Sequence, residues 1–164
     1  MTIAEVVREY RALQEYRNKF LKDREMNRKH SAVFTGSRDW EWFAPVEEAM
    51  SLLNPRKCNI YTGGAKGLDS IASSVADSLG IGNTIVEADW RKGKSAGPRR
   101  NREMLLQALN NCDPEDVVVL GFRNKDDSVG TTDCLSAALE LNIHNVFVFD
   151  AYPTAYRPFE WRYF

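Results

Sequence analysis

The sequence predicts an α/β fold: a three-layer sandwich on a mainly parallel, five-stranded sheet, with an amphipathic helix added at the N-terminus. Three observations predict it. From Ser31 onward, short runs rich in Val, Ile, Phe and Tyr alternate with stretches of helical periodicity, the pattern of a parallel sheet covered on both faces. Glycine-bearing polar segments follow the apolar runs, where open α/β sheets place their ligands. The chain has 164 residues, 43% of them hydrophobic, enough to bury one core.

Residues 2–27 read as one helix. Ile3, Val6, Val7, Tyr10, Leu13, Phe20 and Leu21 share a face, interrupted by Arg17, and charged residues fill the other face. The expected organisation is this helix over 1–29 and one ligand-binding domain over 30–164. The remaining helices already suffice for both sheet faces, so the added stripe needs its own cover. A second copy of the chain would give a homo-oligomer, expected as a dimer; the same subunit would give none. Strands are expected at 32–35, 59–62, 84–88, 116–121 and 145–150, and helices at 42–53, 67–79, 98–110 and 131–142. The tail from Ala151 is aromatic and is expected to pack on the domain or on a partner.

Charge and composition exclude several classes. A net charge of −1 does not suit a nucleic-acid coat, which needs a basic excess. No apolar run is long enough to cross a bilayer, and the charged N-terminus does not resemble a signal peptide, so a cytoplasmic protein without a membrane partner is expected. Cys58, Cys112 and Cys134 match neither zinc spacing nor a disulfide framework, and His30 and His144 are isolated; neither a metal nor a cofactor is expected.

The segments after the strands carry the chemistry. After the first comes Thr35-Gly36-Ser37-Arg38: Gly36 permits close approach, and Ser37 and Arg38 can donate to phosphate. The same residues also make an ordinary turn. After the second, Gly63, Gly64, Lys66 and Gly67 lead to Leu68-Asp69 and a helix start, an arrangement suited to an anion or to a tight turn. After the third, Trp90 opens a segment with six cations from Arg91 to Arg102, including Lys94, Arg99 and Arg100. Pro98 suits the first position of a helix. Arg99 and Arg100 would then occupy its first turn, where each cation costs about 0.3–1 kcal/mol unless an anion offsets it. Trp90 can stack on a base or fill the core. Gly93-Lys94-Ser95 imitates the end of a P-loop, but Ala88 replaces its first glycine and Gly97-Pro98 opposes a helix beginning at the lysine. After the fourth, Gly121-Phe122 and then Gly130-Thr131-Thr132 again suit a phosphate, or a plain helix cap.

Taken in order, Thr35-Gly36-Ser37-Arg38, Gly63-Gly64-Ala65-Lys66-Gly67-Leu68-Asp69, Ala88-Asp89-Trp90, Gly97-Pro98-Arg99-Arg100-Asn101 and Gly130-Thr131 resemble the SLOG superfamily. This Rossmann-like group includes the LOG phosphoribohydrolases and the DprA/Smf DNA-processing proteins; the likeness is strongest to its small YspA-type branch and covers about residues 31–150. It implies a Rossmann-like domain whose glycine loops face one pocket for a phosphorylated, nucleotide-derived small molecule. LOG enzymes hydrolyse the N-glycosidic bond of a nucleoside monophosphate through P-G-G-x-G-T-x-x-E. Here Gly130-Thr131 matches the G-T step, Ser128-Val129 replace the lead-in, and Cys134 stands at the glutamate position, with Asp133 beside it. The resemblance therefore implies first a binding protein that senses or sequesters a nucleotide signal, such as a cyclic nucleotide or an ADP-ribose derivative, in the manner of relatives linked to phage–bacterium conflict. The alternative it implies is a hydrolase using Asp133 or Asp69, with Arg100 on the phosphate.

Overall fold

The computed structural model describes residues 29–124, 128–151 and 160–164, together with Glu15 and Asn18. Among the described residues, six strands make one sheet: β1 (His30–Gly36), β2 (Cys58–Thr62), β3 (Gly82–Ile85), β4 (Val117–Arg123), β5 (Val146–Asp150) and β6 (Glu160–Tyr163). Their order is β3-β2-β1-β4-β5-β6. The first five run parallel and β6 pairs antiparallel with β5. Four helices join them: α1 (Ala44–Met50), α2 (Leu68–Leu79), α3 (Ala96–Asn111) and α4 (Val129–Glu140). This is the Rossmann-like α/β sandwich.

The central strands are buried on both faces, which is why their sequences do not alternate with polar residues. Ala32 and Phe34 of β1 join Val118, Leu120 and Phe122 of β4 in a core with α1 and α2. Val33, Val117 and Val119 join the opposite core, with Met104, Leu105 and Ala108 of α3 and Leu135 and Ala138 of α4. Each such large side chain contributes about 1.5–3 kcal/mol of burial. Phe34 and Phe122 stack at 5.9 Å between ring centroids, and Trp40 meets Phe122 edge-on at 5.5 Å, closing the core beneath the loop after β1.

Several expectations shift. The third strand lies at Gly82–Ile85, earlier than 84–88, and it is an edge strand with exposed or half-buried residues. Only β2 flanks it, so an apolar run does not mark its bounds. Val86, the apolar residue that follows, still donates its N–H to the Thr62 carbonyl. A sixth strand arises from the aromatic tail, where Tyr163 packs on Phe147 at 4.7 Å. α1 is shorter than 42–53: Pro45 lies in its first turn, and the chain after Met50 leaves the helix as turns. The helix expected over 2–27 lies outside the described residues except at Glu15 and Asn18, both helical. Glu15 accepts a hydrogen bond from the Tyr163 hydroxyl of β6. Among the described residues, no helix is long and apolar enough to cross a membrane.

The carboxyl ends of β4 and β5 are joined by a buried ion pair. Arg123 donates through Nε and Nη2 to the two carboxylate oxygens of Asp150, at 2.7 and 2.9 Å, and Arg162 of β6 adds a third bond at 2.9 Å. Burial opposes ionisation of Asp150, but the bonds and charges of the two arginines outweigh it and hold the carboxyl below its ordinary range. The stability it supplies is thus present above the unfolded carboxyl pKa and lost as pH falls through the folded value. Asp150→Ala should destabilise the chain by about 3–5 kcal/mol near neutral pH, because it removes the carboxylate shared by a buried cation, Arg123, and a half-buried one, Arg162. Urea melts should show the gap to wild type narrowing below about pH 4; a gap independent of pH would contradict the ion-pair account.

Candidate functional site

The chain leaves β1 towards β2 and β3, whereas β4 and β5 lie on β1's other side, so the loops after β1 and β4 diverge. A cavity of about 760 Å³ opens there. Of the residues that the sequence singles out, Thr35, Gly36, Ser37, Arg38, Lys66, Asp69, Trp90, Lys94, Arg100, Asn101, Gly130, Thr131 and Asp133 all line it.

The loop after β1 is held by its own backbone and by Ser37. Ser37 N–H donates to the Phe122 carbonyl at 3.0 Å, and its hydroxyl accepts from Asn124 N–H at 3.1 Å. Ser37 Oγ also shares a 3.0 Å hydrogen bond with Ser128 Oγ, tying the β1 loop to the start of α4. Gly67 runs at φ 79°, and a Cβ there would lie 2.4 Å from the Arg38 backbone, so only glycine lets α2 begin against this loop.

Two adjacent residues of α3 clamp the other loops. Arg100 donates through Nη1 to the Gly63 carbonyl at 2.6 Å and through Nε to Asn101 Oδ1 at 3.1 Å. Asn101 is buried and donates to the Gly130 carbonyl at 3.2 Å and to Asp133 Oδ2 at 2.9 Å. α3 starts at Ala96, so Pro98 is its third residue rather than its first, and Gly97 and Pro98 sit inside the first turn instead of delaying it. Arg99 and Arg100 therefore stand fourth and fifth, where the macrodipole penalty is fading. Arg99 is exposed and does not line the cavity: neighbours on a helix point to different faces, and Arg100 takes the inward one.

Asp69 lies beneath the β2 loop, buried, and accepts from Ala65 N–H at 3.2 Å. Burial pushes its carboxyl up to about 6, against the hydrogen bonds from Ala65 and Gly63 and the charges of Arg100 and Arg38. Gly63 is glycine because a Cβ would meet Arg100 Nη1 at 2.3 Å and Asp69 Oδ2 at 2.9 Å. Gly63 and Gly64 line a smaller, adjoining cavity of about 340 Å³, together with Glu87 and Ala88.

Trp90 is not a core residue. It is 53% exposed, on a single turn (Trp90–Lys92) that Asp89 caps by accepting from Arg91 N–H at 3.3 Å. The Arg38 guanidinium lies 5.3 Å from its ring centroid, and a Cβ on Gly97 would come within 3.2 Å of the ring. Lys94 reaches the cavity from the loop between this turn and α3.

Three expected ligand residues lie outside the cavity and serve the scaffold. Gly121 lies under Leu135, whose Cδ1 would sit 2.8 Å from a Cβ there. Phe122 is fully buried in the core. Thr132 accepts from Arg123 Nη1 at 3.0 Å and does not line the cavity. Cys134 is also fully buried, and burial pushes its thiol up to about 12, so it stays protonated and unreactive near neutral pH. Asp39, Ala65, Gly97, Pro98, Ser128 and Val129 also line the cavity, though none of them was an expected ligand residue. Val129, 75% exposed, carries no polar signal by which to find it. At the amino end of β4, Asp113, Glu115 and Asp116 bring carboxylate oxygens within 4.8 Å of one another, away from this cavity. No protein-family model and no curated protein matches this chain.

Asp69 sets a pH test. Its folded value of about 6 exceeds the ordinary 3.8, so its contribution to stability is complete below about pH 4 and is lost as pH rises through about 6. Relative to Asp69→Asn, wild type should lose about 1–3 kcal/mol between roughly pH 4.5 and 7.5 in paired urea melts. An offset between the two proteins that stays constant with pH would show that Asp69 is not raised.

Proposed function

We propose that this chain is a SLOG-like binding protein for a phosphorylated, nucleotide-derived small molecule, one that senses or sequesters a nucleotide signal such as a cyclic nucleotide or an ADP-ribose derivative. The observation that carries this reading is the convergence of Arg38, Lys66, Lys94 and Arg100 on one cavity at the sheet's switch point, with Gly130 and Thr131 of the first turn of α4 in the same wall. A phosphate there meets cations, of which Arg100 is held in place by its bonds to Gly63 and Asn101, and helix N–H groups at once. Trp90, exposed in the same wall, offers a face for a base. The volume of about 760 Å³ suits a nucleotide-sized ligand.

One observation favours the hydrolase as a second reading: Asp69 lines the cavity with a carboxyl raised to about 6, a value at which it can exchange a proton near neutral pH. Its geometry argues for a structural role, since it accepts from the backbone of the loop above it. Asp133, the other carboxylate that the sequence singles out, accepts from Asn101. The position of the LOG glutamate holds the buried thiol of Cys134.

Calorimetry with AMP and ADP-ribose tests the binding reading. Arg100→Ala should weaken binding by about 1.5–3 kcal/mol, and Lys66→Ala and Lys94→Ala, which leave the clamp on Gly63 intact, should each weaken it measurably. Unchanged affinity in all three variants would return these cations to the status of surface charges. The ligand should be recovered intact, by mass spectrometry, from denatured protein. Release of free base that Asp133→Asn or Asp69→Asn abolishes, with the fold retained, would establish the hydrolase instead.

A further inference from the structure

The main cavity is not lined by cations alone. Asp39, Asp69 and Asp133 share its wall with Arg38, Lys66, Lys94 and Arg100. The three carboxylates stand differently towards an incoming anion. Asp39 is exposed, where water and salt screen its charge, and it accepts from Asn124. Asp133 is half-buried and accepts from Asn101. Asp69 is only 6% exposed and accepts from the backbone N–H of Ala65, so its charge is the least screened of the three. The contrast with Asp150 shows what Asp69 lacks. Two arginines donate directly to Asp150 and hold it ionised. Arg100 instead spends its Nη1 and Nε bonds on the Gly63 carbonyl and Asn101. It favours the ionised form of Asp69 through space, as Arg38 of the β1 loop does. Lys66 of the β2 loop and Lys94 before α3 face the same cavity, as does Asp133 of α4, beside the buried, protonated thiol of Cys134. Burial outweighs the favourable charges and leaves the Asp69 carboxyl at about 6, close to gaining a proton near neutral pH. A phosphate on Arg38, Lys66 and Arg100 would add negative charge to this wall and engage the two arginine fields that keep Asp69 ionised. Both effects favour the protonated carboxyl.

We infer that Asp69 couples anion binding to proton uptake: the phosphorylated ligand enters the cavity together with a proton from solvent, which the Asp69 carboxyl takes up. No bond of the ligand breaks; the proton neutralises the one buried carboxylate that faces the anion without an arginine bonded to it. This rests on the phosphate site proposed above and adds a pH dependence that its cations cannot supply, since arginine and lysine stay charged throughout the neutral range. Because binding raises the Asp69 pKa, the complex holds more protons than the free chain, and affinity falls as pH rises.

Cyclic AMP and ADP-ribose are the probes, because their diesterified phosphates do not titrate near neutral pH, whereas a monoester has a second pKa of about 6. Calorimetry on the full chain at about pH 6.5, in buffers of different ionisation enthalpy, should show uptake of about half a proton per probe bound if binding raises the Asp69 pKa by about one unit. Wild-type affinity should then fall about tenfold between about pH 5 and 8. Asp69→Asn, uncharged at every pH, should take up no proton and should bind at least as tightly as wild type at the upper end of that range. A merely structural role for Asp69 gives weaker binding by the variant at every pH. Should the variant fail to fold, the carboxyl carbon resonance of Asp69, titrated in wild type with and without saturating probe, decides: its midpoint should rise on binding. Binding without proton uptake, uptake that Asp69→Asn leaves unaltered, a folded variant that binds more weakly than wild type at high pH, or an unmoved midpoint would each overturn the coupling and keep the phosphate site. Failure of both probes to bind would overturn both.

Discussion

The site depends on one pair of neighbours, Arg100 and Asn101. The β2 loop and the start of α4 lie on opposite sides of β1, and no strand pairing joins them. Arg100 holds the first through the Gly63 carbonyl, and Asn101 holds the second through the Gly130 carbonyl and Asp133. The Arg100 Nε bond to Asn101 Oδ1 couples the two halves. Because the residues are adjacent on α3, the helix fixes the spacing between the loops, and core burial of Met104, Leu105 and Ala108 fixes the helix. The cavity is thus a product of helix packing as much as of loop sequence.

That dependence gives the glycines two distinct meanings. Gly63 and Gly67 are small because protein occupies the space a side chain would need: Arg100 and Asp69 in one case, the Arg38 backbone in the other. Gly130 has nothing within 4 Å of its Cβ position, and so its lack of a side chain leaves the wall open. A glycine-rich segment after a strand is therefore not in itself evidence of a phosphate cradle. At Gly63 and Gly67 the same residue type serves the internal bracing that gives the cavity its shape.

Much of this was legible in sequence. Strand–helix alternation carries the layer order, since a strand buried on both faces must be apolar throughout, as β4 is. Position after a strand carried the cavity, because the topology forces those segments to one edge of the sheet. What was illegible followed from pairing and direction. Nothing local distinguishes an inward Arg100 from an outward Arg99, for that depends on the phase of α3 against the sheet. Gly121 and Phe122 follow the positional rule, yet β4 continues to Arg123, so both are still inside the sheet where the rule expects a loop. The edge strands were hard for another reason: β3 is half-exposed and β6 pairs on one side only, so neither needs an apolar run.

The same bonds bear on whether the site is built to hold or to react. A general acid or base must be able to reach a substrate proton, and a nucleophile must be in its reactive protonation state. In this cavity Asp133 accepts from Asn101, Asp69 braces the backbone of the β2 loop and Asp39 accepts from Asn124, while Cys134, outside the cavity, is a buried thiol. Each group that chemistry could recruit is tied to the scaffold. Arg100 is tied as well, but a cation loses little by this: its field still acts across the cavity while its position is fixed in advance. Pre-organised cations reduce the ordering cost of binding, and so favour affinity, whereas braced carboxylates forfeit the freedom that proton transfer needs. That asymmetry between fixed donors and committed acceptors is the physical basis for placing retention of a phosphorylated ligand ahead of its cleavage.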